Sequence, residues 1–198
     1  MVYQQAFSLR VSRQRFVRYV GSLYSRKLGR LLEAFVPVAR HFEPHVCILV
    51  IVGGRASMAA GEVTLAERVA RLGLEKSVLR TGPLSAEEIP PLISMASVFA
   101  YVSFFEGFGL MPLEAIACGA PVIALNTPSL PEVVGDAGVL VDPLDTETIT
   151  RAIIRVLEDS AYEALLRVRS IARASEFSWE RTARETFTLY SSQMARSS

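Results

Sequence analysis

Apolar positions along this chain of 198 residues fall into short blocks separated by turns rich in glycine, proline and charge. Six blocks read as strands: Phe16-Val17-Arg18-Tyr19-Val20-Gly21, Val46–Val52, Val78–Thr81, Val98–Phe104, Val122–Leu125 and Val139–Val141. They are dominated by Val, Ile, Leu and Phe and mostly lack polar alternation, the pattern of strands covered on both faces. Between them the spacing turns helical. Lys27 to His41 places Leu28, Leu31, Leu32, Phe35 and Val38 on one face, and Thr64 to Leu72 does the same with Leu65, Val69 and Leu72, with Gly73 as its C-cap. Ser85 is expected to cap a further helix whose first turn holds Glu87 and Glu88. Pro112 to Cys118, Ser129 to Val134 and Asp145 to Glu158 complete the alternation. A helical tail from Ala161 to Tyr190 follows, with a new start near Ser178 and Trp179.

Strands alternating with helices imply an α/β fold with a doubly wound, parallel, six-stranded sheet and helices on both faces. Residues 1–15, polar and basic without a period, read as a linker or tail. Residues 16–198 read as one domain that includes the C-terminal helices. In such sheets ligands bind beyond the carboxyl ends of the strands. Gly21, Gly53, Gly82 and Gly107 each fall just past a predicted strand and so mark one rim as the site.

Charge narrows the partners. A net charge of +1 provides no field for nucleic acid. Cys47 and Cys118 lie in apolar runs and are expected as small buried hydrophobes in a reducing compartment. No signal-peptide pattern opens the chain, and its longest apolar run, Val46–Val52, is far too short to span a bilayer. The expectation is a cytoplasmic protein, with peripheral contact at a membrane surface left open.

The segment Phe105-Glu106-Gly107-Phe108-Gly109-Leu110-Met111-Pro112-Leu113-Glu114-Ala115 carries the chemistry. Two carboxylates stand eight residues apart across a glycine-rich turn between a predicted strand and a predicted helix. Carboxylates accept hydrogen bonds from sugar and ribose hydroxyls. Glycines let amides approach phosphate oxygens, and a helix N-terminus adds positive potential. Hydroxyl-rich groups flanking a diphosphate describe a nucleotide-sugar. Glu114 lies among Leu113, Ala115, Ile116 and Ala117, so it is expected to be buried and therefore partnered. Lys27, preceded by Arg26, stands where a cation opposes the helix dipole, which points to an anion nearby or to a merely solvated helix start. His41 and His45 read as surface residues. Gly53-Gly54 falls short of a dinucleotide fingerprint, and Asp145 reads as the cap of the helix from Thr146.

Three stretches together resemble glycosyltransferase family 4, the retaining GT-B enzymes of glycosyl transferases group 1. They are Tyr19-Val20-Gly21-Ser22-Leu23-Tyr24-Ser25-Arg26-Lys27, then Glu106 through Gly119-Ala120-Pro121-Val122-Ile123, then Leu130-Pro131-Glu132-Val133-Val134-Gly135-Asp136-Ala137-Gly138. The similarity runs from about Tyr19 to Tyr190 and is to the donor-binding, C-terminal half, a Rossmann-like domain. It implies that Lys27 neutralises the donor diphosphate and Glu106 faces the transferred sugar, these two being the catalytic residues. It further implies that Gly107, Phe108, Gly109 and Leu110 contact sugar and phosphate through their loop, that Glu114 holds the ribose, and that Thr81, Gly82 and Leu84 bracket the base. No metal or other cofactor is expected. Ser22 stands where many relatives carry Arg, so that phosphate-neutralising charge is either absent or supplied by Arg26, and Leu28 replaces the usual Asn after the lysine.

The implied activity is transfer of a hexosyl or mannosyl group from a nucleoside-diphosphate sugar to a hydroxyl. It belongs to a full-length parent enzyme whose N-terminal acceptor domain lies outside this chain, so the chain alone is expected to be inactive. A stand-alone nucleotide-sugar binding module and half of a nucleotide-sugar epimerase are the alternatives.

Overall fold

The structure is a computed structural model that describes residues 15–20, 26–42, 47–53 and 64–196. Six parallel strands form one sheet: β1 (Arg15–Val20), β2 (Cys47–Val52), β3 (Val78–Gly82), β4 (Val98–Tyr101), β5 (Val122–Leu125) and β6 (Gly138–Val141). Their order is β3-β2-β1-β4-β5-β6, so the winding reverses between β1 and β4. Val17 pairs with Val98 and Arg18 with Phe99 across that seam. The helices are α1 (Arg26–His41), α2 (Leu65–Arg71), α3 (Ile89–Ser94), α4 (Leu110–Ala117), α5 (Leu130–Val134), α6 (Thr146–Glu158), α7 (Ser160–Ala174) and α8 (Trp179–Arg196). Residues 1–14 of the expected linker lie outside the described residues.

The strands divide their side chains between two cores with a period of two, as pleated geometry requires. Cys47, Leu49 and Ile51 of β2, Val98 and Ala100 of β4, and Ile123 and Leu125 of β5 face α1, α2 and α6. Ile48, Val50 and Val52, Phe99 and Tyr101, and Val122 and Ala124 face α3, α4 and α5. Both faces being covered, every position of β2, β4 and β5 is buried, and each fully buried Leu, Ile or Val stabilises the fold by roughly 1.5–3 kcal/mol. The predicted stripe of α1 is the buried one: Leu28, Leu31, Leu32, Phe35 and Val38 are all nearly inaccessible.

A few polar contacts lock the layers. Thr150 Oγ1 of α6 donates to the Ala34 carbonyl of α1 at 2.7 Å inside the core. Arg167 of α7 donates to the carbonyls of Ser94, Ala96 and Gly119, satisfying the ends of α3 and α4, and pairs with Glu163 at 2.9 Å. Ser170, fully buried, donates toward the carbonyls of Ala120 and Ala137.

Several boundaries differ from the sequence reading. β4 stops at Tyr101 rather than Phe104, where the chain turns to present Ser103. α3 starts at Ile89, four residues after Ser85. Pro90 and Pro91 lack amide donors, so they fit only the first turn of a helix and draw its start toward themselves. Glu88 instead accepts from the Ser85 amide at 2.9 Å. The tail divides into α7 and α8, with Ser178 Oγ accepting the Arg181 amide at 3.0 Å as predicted for a start there. Asp145 caps α6 through the Glu147 amide, also as predicted, and Gly73 follows α2 with a positive φ of 68°. Cys47 is buried as expected, whereas Cys118 is only half-buried, and neither sulfur is in a disulfide.

Candidate functional site

The winding reverses between β1 and β4, and in open parallel sheets ligands bind beyond the carboxyl ends of the strands at such a reversal. One side of that rim is the β4–α4 loop. Phe104 and Phe105 project outward, Phe105 being 81% exposed. Glu106 folds back, and its Oε1 accepts from Tyr101 Oη at 2.7 Å and from Ser103 Oγ at 2.5 Å. Its main-chain carbonyl accepts from Ser129 Oγ at 3.1 Å. Gly107 is exposed. Gly109 is buried at φ 107°, ψ 44° and forms the N-cap of α4, so the amides that open the helix follow it directly. An added Cβ there would lie 2.8 Å from Leu130 Cδ2. Phe108 packs edge-to-face on Phe177 at 6.2 Å, and Leu110 is exposed.

Glu114 corrects an expectation: it is exposed, not buried. α4 buries Pro112, Ala115 and Ile116, whereas Leu110, Glu114 and Ala117, at i, i+4 and i+7, share the opposite face. An apolar helix still has one outward stripe, and Glu114 is on it. α4 also begins at Leu110 rather than Pro112, so Glu114 stands beyond its first turn.

On the neighbouring rim, β3 ends at Gly82, whose φ is 75°, with Thr81 Oγ1 donating to the Gly82 carbonyl at 2.8 Å. Leu84 is half-buried against the second core. The Gly53 amide donates to the Gly82 carbonyl at 3.2 Å and ties the ends of β2 and β3 together. Gly21 and Ser22 lie outside the described residues. Arg26 and Lys27 open α1 immediately beyond them and are described by their backbone alone. Arg30, one turn further, donates to the Pro143 carbonyl and lies 5.0 Å over the Phe104 ring. It therefore braces the start of α1 against both the β4–α4 and β6–α6 loops.

A cleft of about 620 Å³ adjoins the loop. Glu106, Gly107 and Phe108 form one side, and Ser129, Glu132, Phe177 and Arg181 contribute to the rest. Arg181 Nε donates to Glu185 at 2.7 Å, and that hydrogen bond raises the guanidinium pKa above its ordinary value. Glu114 and Leu84 do not line this cleft. The structure thus gathers Glu106, Gly107 and Phe108 around one concavity and sets Glu114 on a separate surface of the same loop and helix. Among the described residues, no three His, Cys, Asp or Glu side chains converge as metal ligands.

The residues that sequence reasoning passed over are the hydroxyls: Tyr101, Ser103 and Ser129. A signal for the first two exists. They are polar residues two apart at the end of an otherwise apolar run, hence on one side of extended chain, just before the acid they hold.

A reversed-order parallel sheet with a glycine-turned acidic loop at its switch point defines the class of doubly wound domains that bind ligands at that rim. Residues 4–175 match the family Glycosyl transferases group 1, and the chain belongs to it. It is 37% identical over 180 residues to the O-antigen chain mannosyltransferase B of Escherichia coli, covering 89% of this chain and 46% of that protein. It is 32% identical over 185 residues to the D-inositol 3-phosphate glycosyltransferase of Salinispora tropica, covering 90% and 38%. Among solved structures, it resembles Anabaena Alr3699/HepE in complex with UDP, at a TM-score of 0.82 and 25% identity, over 96% of this chain and 52% of that one. Sucrose-phosphate synthase from Thermosynechococcus elongatus superposes with a TM-score of 0.79 at 29% identity, over 98% and 49%. The fold is that of these GT-B neighbours. The chain spans less than half the length of the two curated relatives and about half that of the two solved structures.

Proposed function

We propose that this chain is the donor-binding half of a retaining glycosyltransferase that moves a sugar from a nucleoside-diphosphate sugar to a hydroxyl acceptor. The observation that carries the reading is the β4–α4 loop. An anchored carboxylate, Glu106, is followed within three residues by a left-handed glycine that starts a helix at the switch point of the sheet. In this reading Glu106 accepts from the hydroxyls of the transferred sugar. Glu114, outward on α4, accepts from the ribose. Lys27 in the first turn of α1, with Arg26 and Ser22, holds the diphosphate. The Gly107–Leu110 loop contributes its amides, and Thr81, Gly82 and Leu84 flank the base. Charge developing on the departing diphosphate is stabilised by Lys27 and the opening amides of α4, without a metal.

The mannosyltransferase relatives favour a mannosyl donor. The acceptor site belongs to an N-terminal half that closes on this one, and α8 supplies its contact. Trp179, Phe187, Leu189, Tyr190 and Met194 of that helix are 66–78% exposed, an apolar surface suited to a second domain. No helix among the described residues is long and apolar enough to cross a membrane. We place the enzyme in the cytoplasm, with any membrane contact made by the full-length protein.

Calorimetry with UDP, GDP, ADP and their sugars tests the reading. One diphosphate and its sugar are expected to bind, and none of the purified chain's preparations should transfer sugar to an added acceptor, because GT-B chemistry needs closure of two domains. Turnover by the chain alone would overturn the half-enzyme assignment, and failure of every nucleotide to bind would overturn the donor site.

A further inference from the structure

We propose that Tyr101, Ser103 and Ser129 are positioning residues that clamp Glu106 and thereby set recognition of the sugar on the donor, an inference that rests on the donor-domain reading above. Glu106 precedes a loop with glycines at positions 107 and 109, the residue type least able to restrain its neighbours. Three hydroxyls supply the restraint. Tyr101 Oη and Ser103 Oγ both reach Oε1, at 2.7 and 2.5 Å, and fix the side chain by charge-assisted hydrogen bonds from the end of a buried strand. Tyr101 is 8% and Ser103 2% exposed, so both donors are held by packing. The Tyr101 ring stacks on Phe99 at 6.4 Å, and the Ser103 carbonyl accepts from Thr127 Oγ1 at 3.4 Å. From the β5–α5 turn, Ser129 Oγ fixes the main chain of Glu106 at 3.1 Å.

Ser129 carries the sharpest sign of a function. Among the described residues it is the one non-glycine residue with positive φ, at 73°, ψ −38°. Glycine would occupy that conformation without strain. A serine in a conformation that glycine fits better places a hydroxyl where glycine would have none, and that hydroxyl donates to the Glu106 carbonyl. Stability and recognition therefore pull in opposite directions at this position. That opposition distinguishes a positioning residue from one that merely supports the fold.

The test is calorimetry with GDP, GDP-mannose, UDP and UDP-glucose on the chain and its variants, together with urea denaturation. The quantity compared is the ratio of sugar-donor affinity to diphosphate affinity for the nucleotide pair that binds. Ser129→Gly is expected to raise the urea midpoint and yet lower that ratio. Tyr101→Phe and Ser103→Ala should lower it about 5–10-fold each, as for loss of one ordinary hydrogen bond, and Ser103→Thr should restore it. Glu106→Gln separates the clamp from the reading beneath it. If Glu106→Gln leaves the ratio unchanged, the sugar-facing role of Glu106 is wrong and the clamp falls with it. If Glu106→Gln lowers the ratio while the three hydroxyl variants stay within about twofold of the parent, the donor reading stands and the clamp is overturned. If Ser129→Gly lowers stability and ratio together, Ser129 is structural and its place in the clamp is lost. Absence of binding by these four probes and by ADP and ADP-glucose overturns both.

Discussion

Replacing Gly109 by alanine should destabilise the domain sharply, whereas the same change two residues earlier should do almost nothing. Gly109 has φ 107° and ψ 44°, outside the range an L-residue occupies without strain, so the backbone contribution is roughly 1–2 kcal/mol. The new methyl would lie 2.8 Å from Cδ2 of Leu130, a fully buried side chain. Overpacking of that kind adds roughly 1–3 kcal/mol. The sum, roughly 2–5 kcal/mol, corresponds to a fall in Tm of roughly 5–15 °C for a domain of this size. Gly107 has no positive φ, and no atom lies within 4 Å of a Cβ built on it. Gly107→Ala should therefore stay within about 0.5 kcal/mol of the parent. Urea and thermal unfolding followed by circular dichroism measure both. A loss below about 1 kcal/mol for Gly109→Ala, or equal losses for the two variants, would refute the claim that the start of α4 demands glycine.

Glu106→Gln should weaken the sugar-bearing donor while sparing the diphosphate, and Glu114→Gln should weaken both, each by roughly 1–3 kcal/mol in calorimetry; equal losses for the two ligands in Glu106→Gln would end that division of labour. Lys27→Ala should reduce nucleoside diphosphate affinity more than nucleoside affinity, by roughly 1.5–3 kcal/mol, and equal reductions would make Lys27 a surface residue. Thr150→Val keeps the shape of α6 but leaves the Ala34 carbonyl without its buried donor, and should cost about 1–3 kcal/mol of unfolding free energy. Ending the chain after Phe177 should leave the domain folded with its Tm within a few degrees, because α8 side chains contribute little to either core; collapse of the cooperative transition would contradict this.

The sheet was legible because both of its faces are covered. Runs such as Val46–Val52 and Val122–Leu125 carry no polar interruption, and Gly53 and Gly82, just past β2 and at the end of β3, mark a common rim. The face on which Glu114 lies was not legible. Apolar neighbours on both sides reveal the composition of a helix but not its rotation, which packing against α7, α5, β4 and β5 decides. The start of α3 failed on a competition between local signals, a capping serine against a proline pair, and the prolines prevailed. Arg167, Ser170 and Thr150 escaped notice for a different reason: each satisfies carbonyls far away in the chain, and no local pattern announces such a partner. Ser129 is the extreme case, since nothing in Pro128-Ser129-Leu130 reveals a positive φ that only the tertiary environment enforces.

The single tryptophan has a spectroscopic consequence. Trp179 stands at the head of α8, 78% exposed, on a helix held by its own pairs, Arg181 with Glu185 and Arg184 with Glu180, rather than by either core. Exposed pairs of this kind weaken with added salt, so α8 should fray at ionic strengths that leave the sheet untouched. Its amides should exchange with solvent long before those of β4 and β5. Indole fluorescence is therefore nearly blind to unfolding of the sheet, because the fluorophore is hydrated on both sides of the transition. What it does report is whatever comes to rest on α8. In the proposed two-domain enzyme, a blue shift of the Trp179 emission would be a direct optical titration of the second domain settling on this surface.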